Sequence, residues 1–236
     1  MFRDRFGFHF NFWPSFTDLM LSVVLVVLII LFAISNMMAA GNENLDKARK
    51  SQEQIETQIT EKLQENNYKV HPIPNRETTN TDISKEMAEN PADVYIINKL
   101  DRQTITFSDK VLFDTDQSEL KDAGKQILWQ VGPIIANNLA NIVEIQVQGH
   151  ADIDDDADYN LKLASERAMR VYKYLQTDVG IDPARYLMSA TSFGKFKPVG
   201  REAGDAYDAA HLQAANATPE LKARNRRIEI VLFYKN

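Results

Sequence analysis

Cysteine is missing from all 236 residues, which excludes thiolate chemistry and cysteine-ligated metal sites and leaves the redox compartment unread. A basic surplus is missing too. The formal charge is -6, and neutralising phosphates takes a positive face, so no nucleic-acid partner is expected. Long apolar runs are missing save one, and with a negative mean hydropathy this excludes a polytopic membrane protein. Internal repeats are absent, as are a carboxylate pair with a base, a nucleophile motif and a zinc ligand set. No enzyme is expected. The length suits one ordinary domain with additional segments.

The one apolar run is long. From Leu19 to Ile34 every residue but Ser22 is apolar, and the run reaches Ala40 if Ser35 and Asn36 are admitted. About 20 helical residues at roughly 1.5 Å each cross the hydrocarbon layer, so residues 14–40 are expected to form a transmembrane helix. A signal peptide is the rival, with Ala33, Ala39 and Ala40 as small residues, but the run exceeds an ordinary h-region. Arg3 and Arg5 precede the run, while Glu43 and Asp46 follow it before Lys47 and Arg49, which sets the N-terminus in the cytoplasm. Phe6, Phe8, Phe10, Phe12 and Trp13 make residues 1–13 a short cytoplasmic tail with an interfacial aromatic anchor.

Asp18 stands at the head of this run. A carboxylate at mid-bilayer costs about 2.5 to 3.5 kcal/mol and is usually functional. The alternative is a cap, because Pro14, Ser15 and Asp18 have the form of a capping box in which the carboxylate bonds free backbone amides. The residues alone leave both readings open. Ser22 lies one turn along on the same face and extends a polar track.

Residues 41–69 are polar, with Leu45, Ala48, Ile55, Ile59 and Leu63 at helical spacing. Gln52 and Lys62 interrupt the seam, so an exposed spacer helix and a weak parallel dimer are both compatible with it. Residues 70–93, with Pro72, Pro74 and Pro91 among Asn, Thr and Glu, read as a linker that builds no core. Residues 94–236 then form the folded domain. Val94 to Asn98 and Thr104 to Phe107 are beta-branched runs; Ser118 to Asn138 is helical with a bend at Pro133. Val143, Ile145 and Val147 alternate with polar neighbours as in a half-buried strand. A helix over Tyr159 to Gln176 stops before Gly180; a strand near Tyr186 to Ala190, a helical insert around Ala206 to Ala217 and a strand from Arg227 to Phe233 complete the domain. The expected fold class is a single transmembrane helix plus an α+β domain with helices packed on one mixed sheet.

Two stretches resemble known families. FWPSFTDLM, from Phe12 to Met20, is similar to the N-terminal signature of the MotB family of motor subunits. The resemblance implies a dimer of this chain inside a pentamer of a multi-span MotA-like subunit, with Asp18 binding and releasing the translocated ion. That ion is a proton, or alternatively sodium, and no other cofactor is implied. VLFDTDQSELKDAG, VQGHADIDDDADYNLKLASERAMRVYKYL, GIDPARY and NRRIEIVLF resemble, in order, the motifs of OmpA-like peptidoglycan-binding domains. That resemblance implies that Asp152 and Arg167 hold the diaminopimelate of a peptidoglycan stem peptide, with Asn160 in support. The chemistry is reasonable in itself: a zwitterionic terminus needs an anion for its ammonium and a planar fork of donors for its carboxylate. The competing reading is a plain salt bridge between Asp152 and Arg167.

Departures exist. Ala151 stands where the family usually has threonine, and Asp152, Asp154, Asp156 and Asp158 alternate as in a calcium loop, yet Ala157 and Leu163 occupy the glycine and glutamate positions. A solvated acidic loop is expected, with no metal; His150 is expected to pack rather than ligate. The insert from Arg201 to Leu221 has no role assigned. The two resemblances together imply a B subunit of an ion-driven motor in the bacterial inner membrane, its C-terminal domain in the periplasm. The short tail before Phe12 and the compact linker favour a non-flagellar, Zorya-type antiphage motor over a flagellar stator. A passive tether between membrane and wall is the alternative, and it gains nothing from Asp18.

Overall fold

The computed structural model describes residues 13–73, 78–202 and 204–235. The aromatic tail with Phe6, Phe8, Phe10 and Phe12 lies outside the described residues, as does Pro74; the side chains of Trp13 and Ser15 are also outside them. The chain divides into two units, Met1–Asn44 and Leu45–Asn236.

Helix α1 runs over Trp13–Gln64. In the first unit its side chains from Leu19 through Phe32 are exposed, and the helix is long and apolar enough to cross a membrane. Lipid is the solvent that such a surface fits, because its main-chain groups are already bonded within the helix.

The second unit is built on one six-stranded mixed sheet. Its strands are β1 (Val70–Ile73), β2 (Val94–Asn98), β3 (Arg102–Ser108), β4 (Ile142–His150), β5 (Leu187–Gly194) and β6 (Arg227–Tyr234), in the order β1-β2-β3-β6-β4-β5. β1 runs parallel to β2 and β4 parallel to β5, while the other pairings are antiparallel. The helices are α2 (Asn80–Glu89), α3 (Asp109–Leu112), α4 (Asp122–Asn137), α5 (Ala157–Thr177), α6 (Ala209–Ala214) and α7 (Pro219–Asn225).

Strand alternation assigns the two faces of this sheet. Val94 and Ile96, Ile105 and Phe107, Ile145 and Val147, and Ile228, Ile230 and Leu232 point into the main core. Ile127, Leu128, Val131 and Ile135 of α4 and Ala168, Val171 and Leu175 of α5 meet them there. Tyr95 and Ile97 point the other way and pack with Ile73, Ile83 and Met87 under α2. α5 lies so close to β4 that a Cβ on Gly149 would fall 2.1 Å from the Ala164 carbonyl oxygen, so only glycine fits there. After α5, Gly180 takes φ +83° and lets the Ile181 amide return to Leu175 O at 3.0 Å.

The spacer expected over residues 41–69 is no free element. Ala48, Ile55, Ile59 and Leu63 are buried in the main core, so the seam that suggested either an exposed helix or a dimer is spent within the chain. Gln52, the polar interruption of that seam, is 1% exposed. Its Nε2 donates to Lys99 O at 2.9 Å, and Gln103 Nε2 donates to Gln52 O at 2.9 Å, so a polar residue is retained because the turn between β2 and β3 offers it partners.

The linker expected over residues 70–93 likewise contains β1 and α2. Pro72 does not break β1, since a missing amide is tolerated on an edge strand, and β1 is one edge of the sheet. α2 begins at a capping box in which Asp82 N donates to Thr79 Oγ1 at 3.1 Å and Thr79 N donates to the Asp82 carboxylate at 3.3 Å. Val143 is a smaller correction: a register shift between Ile142 and Glu144 turns Ile142 inward and leaves Val143 46% exposed. The helical insert predicted around Ala206 to Ala217 contains α6, and a further helix, α7, follows it beyond those bounds.

Candidate functional site

A cleft of about 470 Å³ opens where β3 and β4 end and α5 and β6 begin. Asp152 lies two residues beyond β4 and is 5% exposed; Asn160 and Arg167, both on α5, are 4% and 6% exposed. All three line this cleft. The end of β4 and the helix that follows it have thus brought the expected wall-binding residues to one cleft.

Their pairing differs from the simple bridge between Asp152 and Arg167. Asp152 is paired with Arg226, and Arg167 NH1 lies 3.0 Å from Asp109 Oδ1. Asp109 opens α3, directly after β3, and Arg226 is the residue before β6. Neither was singled out from sequence, although Arg226 stands inside the NRRIEIVLF motif; Asp109 carries no motif that would mark it. Burial pushes the Asp109 carboxyl up, while Arg167 and Arg226 pull it down and Asp152 pushes it up again. Two carboxylates and two guanidinium groups therefore share one field.

The two arginines are not equivalent. Arg167 donates from Nε to Gln117 O at 2.7 Å and from NH2 to Asp114 O at 3.3 Å, and its guanidinium lies 5.1 Å from the Phe113 ring centre. With NH1 on Asp109, all three of its guanidinium nitrogens are engaged, and it organises the 109–117 segment at the wall of the cleft. Arg226 is 41% exposed at its side chain and is the accessible guanidinium. Asn160 donates to the carbonyls of Asp152 and Asp154, so it shapes the loop that presents Asp152.

The acidic loop is resolved pairwise. Asp154 N donates to Asp152 Oδ1 at 3.0 Å, Lys222 pairs with Asp154 at 2.5 Å, and Asp156 caps α5 by accepting from Asp158 N at 2.8 Å. Among the described residues no cluster of His, Asp or Glu is arranged to hold a metal ion. His150 closes β4, its ring stacked on Phe193 at 5.3 Å and 16°. Burial, with Arg227 nearby, lowers its pKa to about 4, so it is a neutral packing residue at neutral pH.

In the first unit, Asp18 is exposed on α1. Ser22 Oγ donates to the Asp18 backbone carbonyl at 2.9 Å, which places the hydroxyl against the main chain and not on the carboxylate.

Residues 112–226 match the model of the OmpA family, whose domains are structural modules and not enzymes. Outer membrane protein A of Bordetella avium is 35% identical over 127 residues, 53% of this chain and 55% of that protein. A peptidoglycan-associated lipoprotein of Agrobacterium fabrum is 33% identical over 98 residues, 41% of this chain and 51% of that protein. The chain thus spans about half the length of these relatives. The crystal structure of a MotB-like protein from Desulfovibrio vulgaris superposes with a TM-score of 0.56 at 18% identity, covering 82% of this chain and 98% of that one. At that identity the likeness is one of fold. Residues 112–226 are therefore similar to an OmpA-family domain, and the second unit shares the fold of that MotB-like protein.

Proposed function

We propose that this chain, through its OmpA-like domain, grips the peptidoglycan stem peptide and serves as the wall-anchored B subunit of an ion-driven motor in the bacterial inner membrane. The observation that carries the wall-binding half is the cleft in which Asp152 and Asp109 alternate with Arg226 and Arg167. The ammonium of diaminopimelate pairs with Asp152, and its carboxylate meets the accessible Arg226 with Arg167 behind it. Asn160 holds the loop in place. The ligand replaces each half of the existing Asp152 and Arg226 pair by one of its own charges, so the buried carboxylate is not left alone. Binding and orientation are the whole of the chemistry.

The motor half rests on Asp18. α1 is already helical at Trp13, which puts Asp18 in its second turn and beyond the capping position. A carboxylate there is costly in lipid and is sheltered by helices of a multi-span MotA-like partner, arranged as a pentamer around a dimer of this chain. Protonation and release at Asp18, or exchange of sodium, then drives the partner ring, while Ser22 fixes the local backbone. The compact passage from α1 to β1 supports a non-flagellar, Zorya-type antiphage motor over a flagellar stator. A passive tether, with the N-terminus in the cytoplasm and the domain in the periplasm as before, is the second reading.

The deciding experiment co-expresses the chain with its multi-span partner and measures ion flux and sacculus binding. Asp18→Asn should abolish flux and leave binding intact; unchanged function in that variant would reduce the chain to the tether.

A further inference from the structure

A second cavity, of about 500 Å³, lies on the sheet face opposite the main core, under α2 and the 196–204 segment. Its floor is a cross-strand row. Thr106 faces Glu229, and Glu229 faces Gln148. Five basic side chains line the cavity against two acidic ones, Glu202 and Glu229. The acids are already engaged. Glu229 accepts from Arg227 Nε at 2.6 Å, and Glu202 accepts from the Asn80 and Thr81 amides at the head of α2.

Two ammonium groups are left without a carboxylate at ion-pair distance among the described residues. Lys197 Nζ donates to Gln148 Oε1 at 2.9 Å and sits 4.3 Å from the Phe193 ring centre. Lys99 Nζ donates to Asn80 Oδ1 at 2.8 Å. Burial lowers the Lys197 pKa, Glu229 raises it, and Arg227, Arg102 and Lys99 lower it again, so the cations act on one another across the cavity. Thr106 adds an independent sign: its residue is 2% exposed, it lines the cavity, and its hydroxyl has no hydrogen-bond partner. A buried hydroxyl left unpaired costs on the order of 1–3 kcal/mol, which a bound acceptor relieves.

We propose that this cavity is a binding site for a small oxyanion, phosphate or carboxylate, seated between Lys197 and Lys99 with the Thr106 hydroxyl donating to it. A neutral ligand would leave both ammonium groups without a partner at ion-pair distance, and a cation would meet a lining with five basic side chains against two acidic ones. The site is separate from the stem-peptide cleft, sharing none of Asp109, Asp152, Arg167 and Arg226.

The full chain in detergent micelles tests this by calorimetric titration and thermal unfolding with inorganic phosphate and with succinate, against sodium chloride at matched ionic strength. Saturable binding and a rise in melting temperature beyond that of chloride are expected, with the stronger of the two probes naming the oxyanion. Lys197→Met and Lys99→Met should each weaken binding about tenfold, near 1.4 kcal/mol, and Thr106→Val severalfold. Asp152→Asn and Arg226→Ala should leave it unchanged. A wild-type response no greater than that of chloride overturns the proposal without recourse to any variant. So does binding that survives in both lysine variants but is lost in Arg226→Ala, which would move the anion to the other cleft.

Discussion

Arg226, the residue before β6, pairs with Asp152, two residues beyond β4, and so joins two neighbouring strands at the mouth of the cleft. The pair is also asymmetric, since Asp152 is 6% exposed at its side chain and Arg226 41%. Removing the arginine strands a buried carboxylate, whereas removing the carboxylate frees an exposed guanidinium that water can solvate.

Asp152→Asn is therefore expected to weaken sacculus binding by about tenfold or more, near 1.4 kcal/mol, with little change in melting temperature. Arg226→Ala should lower both. Pull-down on purified sacculi together with thermal unfolding separates the two effects, and normal binding by both variants would contradict the assignment of the cleft.

Asp109 is predicted to matter through Arg167. Asp109→Ala should loosen the 109–117 segment and reduce wall binding, because Arg167 then loses its carboxylate at 3.0 Å. Hydrogen exchange of the 109–117 amides reads this directly, and unchanged protection would show that the Gln117 and Asp114 carbonyls suffice to hold the guanidinium.

Ile59→Ala on α1 is expected to destabilise the domain by about 2–5 kcal/mol, the usual cost of emptying a fully buried aliphatic site, since Ile59 is 0% exposed. Lys62→Ala, three residues on and exposed, should do almost nothing. Urea denaturation distinguishes the two; equal stability would return α1 to the status of a free spacer.

Acid should weaken the domain through His150. Its pKa falls from 6.5 to about 4 on folding, so the unfolded chain takes up the proton first and stability drops as pH falls from 6.5 towards 4, by about 3 kcal/mol at 1.36 kcal/mol per unit. Glu229, held well below its usual range by Arg227 against the opposing effect of burial, adds its own loss only below 4.5. His150→Gln should flatten the limb between pH 6.5 and 4.5 in urea midpoints, and an unaltered limb would remove His150 as its cause.

Gly149→Ala is expected to fold poorly. Its methyl group would meet the Ala164 carbonyl at 2.1 Å, and main chain cannot yield as a flexible side chain can. Soluble yield and far-ultraviolet circular dichroism check this, with wild-type values counting against close packing of α5 on β4.

The sequence by itself determined the apolar span around Leu19 to Ala40, the strands at Val94, Thr104 and Arg227, and the helix containing Asn160 and Arg167, because periodicity and composition are local properties of the chain. It also placed Asp152, Asn160 and Arg167 in one site through ordered motifs. Only the tertiary structure decided who pairs with whom. Asp109 and Arg167 are 58 positions apart, and Arg226 and Asp152 are 74, so their charges meet only when β3, β4 and β6 lie side by side. The same reason explains β1, α2 and the packed half of α1, which read as linker and spacer. Val70 to Ile73 gain their strand from main-chain bonds to β2, and Gln52 finds its partners on the turn after β2. Backbone pairing and buried hydrogen bonds carry no periodic signature in the residues that receive them, so folding alone discloses them.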